Sequence, residues 1–209
     1  MHPRGRGYPP VVNDFPKMSW EKREFGFVCI GRISREKELL KVISIIKKIR
    51  VLTKNGHLHI IGTNDDFPYY AKIKEIVCQN SNWLFLEENL SRQALTMLVA
   101  KHRFGIHGMK EEHFGISVAE MIMAGCVVFV PNSGGQKEII GELPELLYET
   151  PDEAVEKIYH VIKNKTLLKD LRQKLEKRTC LFSHERFIKE IRKIVGNFSS
   201  INTKNETIS

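Results

Sequence analysis

The chain has 209 residues, of which 42% are hydrophobic and 28% are charged, and its net charge is +8. This length allows one domain with a substantial core and excludes two large ones, and no apolar run approaches the roughly 20 residues of a membrane-spanning helix. The basic balance favours anionic partners without saying which.

Strand and helix patterns alternate along most of the chain. Residues 1–24 are rich in proline, glycine and charge and are predicted to be a linker or arm, and the polar residues 199–209 are predicted to be disordered. Strands are predicted over residues 25–30, 57–61, 82–86, 104–107, 126–131 and 146–148. Helices are predicted over residues 37–54 (with Gly56 as its C-cap), 69–79, 91–101, 116–124 and 136–140, and then over 152–163, 165–177 and 184–198.

This alternation predicts an α/β fold over residues 25–198. We expect a single Rossmann-like domain with a parallel sheet of about six strands, helices on both faces and further helices appended at the C-terminus. Open sheets of this kind bind ligands at the carboxyl ends of their strands. The loops that follow the predicted strands therefore hold the candidate site residues.

The most informative of these loops reads Glu-His-Phe-Gly-Ile-Ser-Val-Ala-Glu from Glu112 to Glu120. Gly115 permits close approach to the backbone, and the free amides of residues 115–117 at a helix start would bind an anion. The two acids are poor ligands for phosphate and suit hydroxyl groups, such as those of a ribose and a sugar. An alternative is that both are solvated acids that the helix dipole favours at this place.

A second set of candidates follows the first predicted strand, where the chain reads Gly31-Arg32-Ile-Ser-Arg-Glu-Lys37. In a doubly wound sheet this turn lies beside the nucleotide crevice. Arg32 can bind phosphate through two hydrogen bonds and Lys37 as a point charge, each contact contributing about 1.5–3 kcal/mol. A basic loop before a helix is common, so the pattern alone also fits a loop without such a function.

Two well-known nucleotide signatures are missing from the sequence. Absence of a GxGxxG fingerprint disfavours a dinucleotide-binding oxidoreductase, and absence of a Walker loop disfavours a P-loop NTPase. The basic residues between 157 and 178 are interspersed with acids and lack interleaved aromatic residues. Nucleic acid is therefore not a predicted partner.

The cysteines and histidines form no recognisable metal motif. The four cysteines are scattered without a Cys-x-x-Cys pair, which favours free thiols in a reducing compartment. His57 and His59 flank Leu58 on a predicted strand and share one face of it, which fits ordinary strand residues better than a metal site. No metal is predicted.

Three motifs, in order, resemble those of the C-terminal, donor-binding domain of the retaining glycosyltransferases of family 4, or glycosyl transferases group 1. These enzymes have two Rossmann-like domains in the B-type fold. The first motif, Gly-Arg-x4-Lys, is matched by Gly31, Arg32 and Lys37. The second, Glu-x7-Glu with an internal Phe-Gly, is matched by Glu112, Phe114, Gly115 and Glu120. The third, Gly-Gly-x-x-Glu, is matched by Gly134, Gly135 and Glu138. The resemblance covers roughly residues 8–165. The run from Ile106 to Met109 and the His-Phe-Gly-Ile form also resemble the lipid-linked oligosaccharide mannosyltransferases of this family.

The resemblance implies retaining glycosyl transfer from a UDP- or GDP-linked sugar without a metal cofactor. Arg32 and Lys37 would bind the diphosphate and stabilise the leaving group, and Glu112 would contact hydroxyls of the transferred sugar, so these three are the candidate catalytic residues. Glu120 would bind the ribose hydroxyls. The donor-binding set is completed by Gly31, Phe114, Gly115, Ile116 and Ser117, with His107, Gly134, Gly135 and Glu138 as further candidates.

The family also has an N-terminal domain that binds the acceptor, and residues 8–12 resemble the linker that follows it. We therefore expect an acceptor-binding domain from another chain or from further sequence, packed against the helix over 184–198. The alternative is a non-catalytic module that binds sugar nucleotides or a partner. A cytoplasmic location is expected, with peripheral contact at the cytoplasmic membrane face. Glu38 departs from the family, which often has Gly or Asn at its position.

Overall fold

The computed structural model describes residues 8–12 and 14–205, with side chains described up to residue 195. The strands are β1 (Glu24–Ile30), β2 (Leu58–Ile61), β3 (Leu84–Glu87), β4 (His102–Ile106), β5 (Val127–Pro131) and β6 (Leu147–Tyr148). The α-helices are α1 (Leu39–Thr53), α2 (Phe67–Gln79), α3 (Arg92–Lys101), α4 (Ile116–Met123), α5 (Gln136–Ile140), α6 (Pro151–Lys163), α7 (Lys165–Arg178) and α8 (His184–Asn205). Short 3-10 helices cover Trp20–Lys22, Arg35–Lys37, Pro144–Leu146 and Thr179–Phe182.

The strands form one parallel sheet in the order β3-β2-β1-β4-β5-β6, which confirms the predicted α/β class. The central strands are apolar and buried because helices cover the sheet: all five residues of β5 are buried, as are the last five of β1. Phe27 and Phe104 stack across β1 and β4 with ring centroids 5.1 Å apart. Within the described part of the chain, no helix has both the length and the apolar character needed to cross a bilayer.

The arm packs on the domain through its described residues. Val11 is 5% exposed, and its amide donates to the Phe182 carbonyl at 2.9 Å. Arg23 is buried, and its guanidinium donates to the carbonyls of His102 (3.1 Å) and Ala124 (2.7 Å). These bonds satisfy carbonyls at the amino ends of the central strands, so the segment before β1 closes that side of the sheet.

At the C-terminus, α8 runs further than the sequence pattern indicates. The helix continues to Asn205, through most of the segment predicted to be disordered from residue 199. Extending an existing helix adds one hydrogen bond for each residue fixed, so a polar segment can continue it. Residues 206–209, like residues 1–7 of the predicted arm, lie outside the described residues.

Candidate functional site

The predicted site residues lie on adjoining loops, because all six strands end on the same side of the sheet. We call this side the carboxyl edge; its loops comprise residues 31–38, 62–66, 88–90, 107–115 and 131–135. The loops after β1 and β2 meet at a bridge between Ile33 and Asn64. The loops after β4 and β5 are joined by a hydrogen bond from the Gly135 amide to the Glu112 carbonyl, at 2.7 Å.

An ion pair between Lys37 and Glu112 lies at this edge, with Nζ and Oε2 2.8 Å apart. The pair joins residues 75 positions apart in the sequence. The Lys37 side chain passes Gly31, and a Cβ added to Gly31 would lie 3.6 Å from Lys37 Cε. Gly31 has a φ of +153°, which favours glycine. Lys37 Nζ is also 3.2 Å from Met109 Sδ. The two charged side chains are only 14% and 17% exposed, so little of either is open to solvent. An anion that binds the Lys37 ammonium group therefore competes with the Glu112 carboxylate for that group.

His107 completes the cluster and is buried just after β4, at 1% exposure. Its backbone is fixed on both sides: the amide donates to the Phe129 carbonyl at 2.9 Å, and the carbonyl accepts from the Tyr148 hydroxyl. Nε2 of His107 lies 3.2 Å from Glu112 Oε2, yet neither ring nitrogen is aligned for a hydrogen bond with a described residue. A buried imidazole in this state can accept or donate one hydrogen bond to a ligand hydroxyl.

Glu112 is ionised at neutral pH. The contact with His107 and, after the opposing effect of burial, those with Lys37 lower the pKa of Glu112 to about 2, from an ordinary value of 4.5. An ionised carboxylate is an acceptor only, so it is suited to hydroxyl donors and repels phosphate. Lys37 and Glu112 therefore offer opposite chemistry within 2.8 Å of each other.

Helix α4 begins beside this cluster. Gly115 takes the left-handed conformation at its N-cap, with φ of +70°, and no side chain of the described residues caps the helix. The first amides, from Ile116 and Ser117, are therefore not satisfied by a capping group and favour an anion at this end. Phe114 and Ile116 are 60% and 49% exposed, which places apolar side chains around the helix start.

The Gly134-Gly135 pair supports the loop that carries Glu112. A Cβ at Gly135 would lie 2.2 Å from the His113 carbonyl oxygen, and one at Gly134 would lie 2.6 Å from the Glu112 nitrogen and oxygen. Side chains at these two positions would push the loop away, so both glycines act through backbone packing. Fully buried Gln136 adds to this support by donating to the carbonyls of Met109 (2.9 Å) and Pro131 (3.2 Å).

Glu138, the last residue of the third motif, lies in α5. Its carbonyl accepts a hydrogen bond from the Arg178 guanidinium, which also donates to the Ile139 carbonyl at 2.8 Å. The described contacts of Glu138 thus tie α5 to α7 and position the helix behind Gly135.

Glu120, on α4, pairs with Arg92 at the start of α3, with Oε1 and Nη1 2.6 Å apart. Arg92 also bonds Asp14 in the arm through two nitrogens, at 2.8 and 2.9 Å. This ion pair is the largest cause of a lowered pKa of Asp14. Sequence reasoning missed Arg92, since a single arginine at a helix start carries no motif; only its position after β3 placed it at the carboxyl edge.

Arg32 lies at the carboxyl edge but points toward acids of two loops. Its guanidinium bonds Asp65 at 2.6 Å and Glu36 at 3.3 Å, and its side chain is 60% exposed. Arg32 lines a shallow cavity of about 180 Å³ together with Gly31, Gly62, Thr63, Glu87 and Asn89. No described contact joins Arg32 to the Glu112–Glu120 loop, so of the two predicted cations it is Lys37 that meets that loop.

The carboxyl edge thus combines an ammonium group, an ionised carboxylate, a buried imidazole and an uncapped helix start. Such a set can bind a ligand that carries both phosphate and hydroxyl groups. Among the described residues, the grouping suited to hold a metal ion is elsewhere: His57, His59 and His102, at the amino ends of the strands. The absence of a metal from the carboxyl-edge site stays a prediction.

Comparison with known proteins shows which family the chain matches. A family model described as glycosyl transferases group 1 matches residues 12–179. Among curated proteins, the chain is 30% identical over 122 residues to the "GDP-Man:Man(3)GlcNAc(2)-PP-Dol alpha-1,2-mannosyltransferase" of Dictyostelium discoideum. That alignment covers 57% of this chain and 24% of the relative, so the chain spans about a quarter of that protein's length.

Solved structures with the same fold include the pneumococcal O-GlcNAc transferase GtfA, in complex with UDP and GlcNAc. The match has a TM-score of 0.74 at 14% identity and covers 91% of this chain and 38% of that one. The C-terminal domain of a glycosyl transferase group 1 family protein (LpcC) from Francisella tularensis matches with a TM-score of 0.65 at 15% identity, covering 83% of this chain and 94% of that one. At these identities the likeness shows the fold alone.

Proposed function

The chain belongs to the glycosyl transferases group 1 family, and from that membership we propose that it binds the donor in a glycosyl transfer from a nucleoside-diphosphate sugar. In this proposal the chain corresponds to the donor-binding domain, and an acceptor-binding domain closes over the carboxyl edge. The observation that carries it is the Lys37–Glu112–His107 cluster beside the uncapped start of α4.

The donor diphosphate is proposed to lie between Lys37 and the first amides of α4. In the free protein Glu112 satisfies the Lys37 ammonium at 2.8 Å. Phosphate oxygens replace that contact, and the released carboxylate accepts hydrogen bonds from hydroxyls of the transferred sugar, beside the His107 imidazole. Binding thus exchanges one ion pair for two contacts of matched charge, which orients the donor with its phosphates toward Lys37.

The reaction proposed is retaining transfer. The bond between the anomeric carbon and the β-phosphate oxygen breaks, and an acceptor hydroxyl forms the new bond on the same face of the sugar. The proton of that hydroxyl passes to an oxygen of the leaving diphosphate. The leaving diphosphate takes the bonding electron pair, and the charge that develops on it is stabilised by Lys37 and the helix start, and by Arg32 once it turns from Asp65. These groups are proposed to do this without a metal ion.

Glu120 is proposed to bind the ribose hydroxyls. In the free protein its carboxylate is paired with Arg92, 2.6 Å away, and Arg92 is held by Asp14 of the arm. Ribose hydroxyls can then donate to the carboxylate oxygen that Arg92 leaves free, so the pair need not break. Arg92 in this arrangement positions the Glu120 carboxylate and does not touch the reacting atoms.

The donor we propose is GDP-mannose. The support is the likeness to the Dictyostelium relative, whose name gives GDP-Man as its donor, together with the His107 and Phe114 forms of the motifs. A UDP-linked sugar is the alternative. The relative's name also gives a PP-Dol acceptor, so a membrane-borne, lipid-linked acceptor and peripheral contact with the membrane face are part of the proposal.

Helix α8 is proposed to pack against the acceptor-binding domain. Ile191, Ile194 and Val195 are between 42% and 56% exposed along one helix. Apolar side chains at this spacing form a stripe that another surface can cover. The basic residues Lys189, Arg192 and Lys193 lie on the side of the helix away from the stripe and would meet acidic lipid headgroups.

Binding is tested by calorimetry with GDP, UDP and GDP-mannose on the wild-type chain and on Lys37→Ala. Loss of one charge-assisted contact is expected to weaken GDP binding about 10- to 150-fold, which corresponds to about 1.5–3 kcal/mol. Lys41→Ala is the matched control, because Lys41 is an exposed lysine on the next helical turn that pairs only with Glu38 among the described contacts. Equal affinity in the wild type and Lys37→Ala would reject the site. Tight binding without mannosyl transfer to a lipid-linked acceptor, with an acceptor-binding domain present, would instead support a non-catalytic binding module.

A further inference from the structure

Three histidines meet at the amino edge of the sheet, the side opposite the carboxyl edge. His57 directly precedes β2, His59 lies in β2, and His102 is the first residue of β4. One ring nitrogen from each lies within 4.8 Å of those of the other two. The strand between β2 and β4 is β1, so the rings converge over β1 from both sides.

Gly26 of β1 makes room for this convergence. A Cβ at Gly26 would lie 2.3 Å from His57 Nε2 and 2.7 Å from His102 Cδ2. Any other residue at this strand position would occupy the space in which the imidazoles meet. The cluster therefore depends on four positions from three strands and their flanks, and it uses the glycine for space and not for backbone conformation.

The hydrogen bonds of two rings leave their Nε2 atoms as acceptors. His102 Nδ1 lies 2.7 Å from the Leu98 carbonyl oxygen, and His59 Nδ1 lies 2.8 Å from Glu87 Oε1. Both partners accept, so each Nδ1 carries a proton. The Nε2 of His102 then accepts from His57, and the Nε2 of His59 presents a lone pair when that ring is neutral. A carbonyl or carboxylate that orients a histidine in this way is the usual outer partner of a histidine that binds a metal.

His57 has a different arrangement. Its Nε2 is 2.8 Å from His102 Nε2, and because the latter has no proton, His57 Nε2 donates. The same atom lies 3.3 Å from Glu24 Oε2. Moving its proton to Nδ1 would turn His57 into a third neutral ligand, with the Glu24 carboxylate next to it.

Charges of both signs surround the histidine cluster. Arg50 is near His57 and opposes a cation. Lys101, near His102, opposes a cation as well. The carboxylates of Glu24 and Glu87 balance these two charges and contact the rings directly, 3.3 Å from His57 Nε2 and 2.8 Å from His59 Nδ1.

We propose that His57, His59 and His102 bind a divalent transition-metal ion with the ligand preferences of zinc, with the Glu24 carboxylate as the fourth ligand. Tetrahedral zinc holds nitrogens that are each about 2.0–2.1 Å away, and thus about 3.4 Å from one another. The observed separations, from 2.8 Å up to 4.8 Å, lie on both sides of this value. Small rotations of the rings form the site, which would tie β2 to β4 across β1.

Calorimetry with zinc chloride on the full chain, after removal of metal with EDTA, tests the proposal. We expect saturable binding of one ion per chain, and no saturable binding in His57→Gln and His59→Gln. His113→Gln, which removes a histidine from the carboxyl edge, should bind as the wild type does. Glu87→Gln should weaken binding about 10- to 100-fold, because it removes only the partner that orients His59.

A second measurement uses the wild-type protein alone and does not depend on whether a variant folds. Nitrogen NMR of the imidazoles should show His59 and His102 protonated at Nδ1 with and without zinc, and His57 exchanging its Nε2 proton for Nδ1 when zinc is added. Absence of saturable binding to the wild type, binding that survives both histidine variants, or an unchanged His57 tautomer would overturn the proposal. None of these outcomes bears on donor binding at the carboxyl edge, so the two ideas fail separately.

Discussion

At the carboxyl edge of the sheet, Lys37 and Glu112 meet as opposite charges. At the amino edge three histidines meet, of which His57 and His102 are joined by a hydrogen bond and His59 is bonded to Glu87. The carboxyl-edge cluster lies on the loops after β1 and β4, and the amino-edge cluster lies on β2 and β4 with β1 between them. At the carboxyl edge the Lys37 ammonium and the Glu112 carboxylate form an ion pair, and the start of α4 beside them has no capping side chain among the described residues. At the amino edge one hydrogen bond joins His57 and His102, and the other polar contacts of the rings are to Glu24, Glu87 and the Leu98 carbonyl.

The difference lies in what each cluster packs against. The Glu112 loop lies on the backbone of Gly134 and Gly135, which cannot move without moving β5 and α5. The histidine rings lie over Gly26 and touch one another, and side chains can turn. The geometry of the carboxyl edge therefore depends on main-chain packing, and that of the amino edge depends on the orientation of side chains. A glycine-to-alanine substitution at each edge, which adds a single methyl group, tests this difference.

Gly135→Ala should have the largest effect. Its Cβ would lie 2.2 Å from the His113 carbonyl oxygen, a backbone atom, so the loop or α5 must shift. We expect a loss of about 3 kcal/mol in the free energy of unfolding, or roughly 6–12 °C in Tm, together with loss of GDP binding. Asn132→Ala, in the same loop at an exposed position that bonds Glu149, is the control and should change Tm little. A Gly135→Ala protein as stable as the wild type would mean that the loop is not set by backbone packing.

Gly26→Ala should have a smaller effect on stability, although its Cβ would come almost as close, 2.3 Å from His57 Nε2. Imidazole rings can rotate away, so we expect a loss of about 2 kcal/mol, at the level of moderate overpacking. Chemical denaturation of both glycine variants gives the comparison directly. If Gly26→Ala costs as much as Gly135→Ala, the rings are as rigid as the main chain. Donor binding should be unaffected in Gly26→Ala, because the change lies at the opposite edge.

Glu112→Gln should change how the stability of the protein depends on pH, because it removes a charge at the carboxyl edge. The folded-state pKa of Glu112 is lowered to about 2, below its ordinary value of 4.5. A lowered pKa of this kind stabilises the wild type above about pH 4.5, and that stabilisation is lost as pH falls toward 2. We expect the variant to be about 1–2 kcal/mol less stable at pH 6, with the difference shrinking below pH 4.5. Glu111→Gln removes a neighbouring exposed acid, and its difference from the wild type should not vary in this way.

Much of the fold could be predicted because apolar spacing marks strands and helices that are buried. The predicted helix over 136–140 has the bounds found in the structure. β4 begins earlier than predicted, at His102, since that residue and Arg103 carry no apolar signal; pairing with β1 and the bond from Arg23 extend the strand. The prediction of Gly56 as the C-cap of α1 is wrong, because the C-cap is Lys54, which takes the left-handed conformation with φ of +54°.

The candidate site could be predicted only where a motif holds its residues close in sequence. Lys37 and Glu112 belong to such motifs, and the parallel order of β1 and β4 brings them together. Arg92 lies 28 residues from its partner Glu120, and His57 lies 45 residues from His102. Arg92, His57 and His102 belong to no motif. Finding those pairs requires the strand order, which hydrophobic spacing does not specify.

Glu38→Gly should have the smallest effect and the opposite sign. Glu38 has φ of +52° directly after Lys37, a conformation that costs an L-residue about 1–2 kcal/mol and glycine nothing. Two effects oppose this: glycine stabilises the unfolded chain by about 0.4–1 kcal/mol, and the exposed ion pair with Lys41 is lost. The net increase in the free energy of unfolding should therefore be about 0.5 kcal/mol, or roughly 1–2 °C in Tm. Glu36→Gly, in the same loop without a positive φ, should instead destabilise the protein. If Glu38→Gly stabilises the fold and weakens GDP binding, then the strain after Lys37 holds its ammonium in place, and the carboxyl edge owes its geometry to that residue as well as to Gly134 and Gly135.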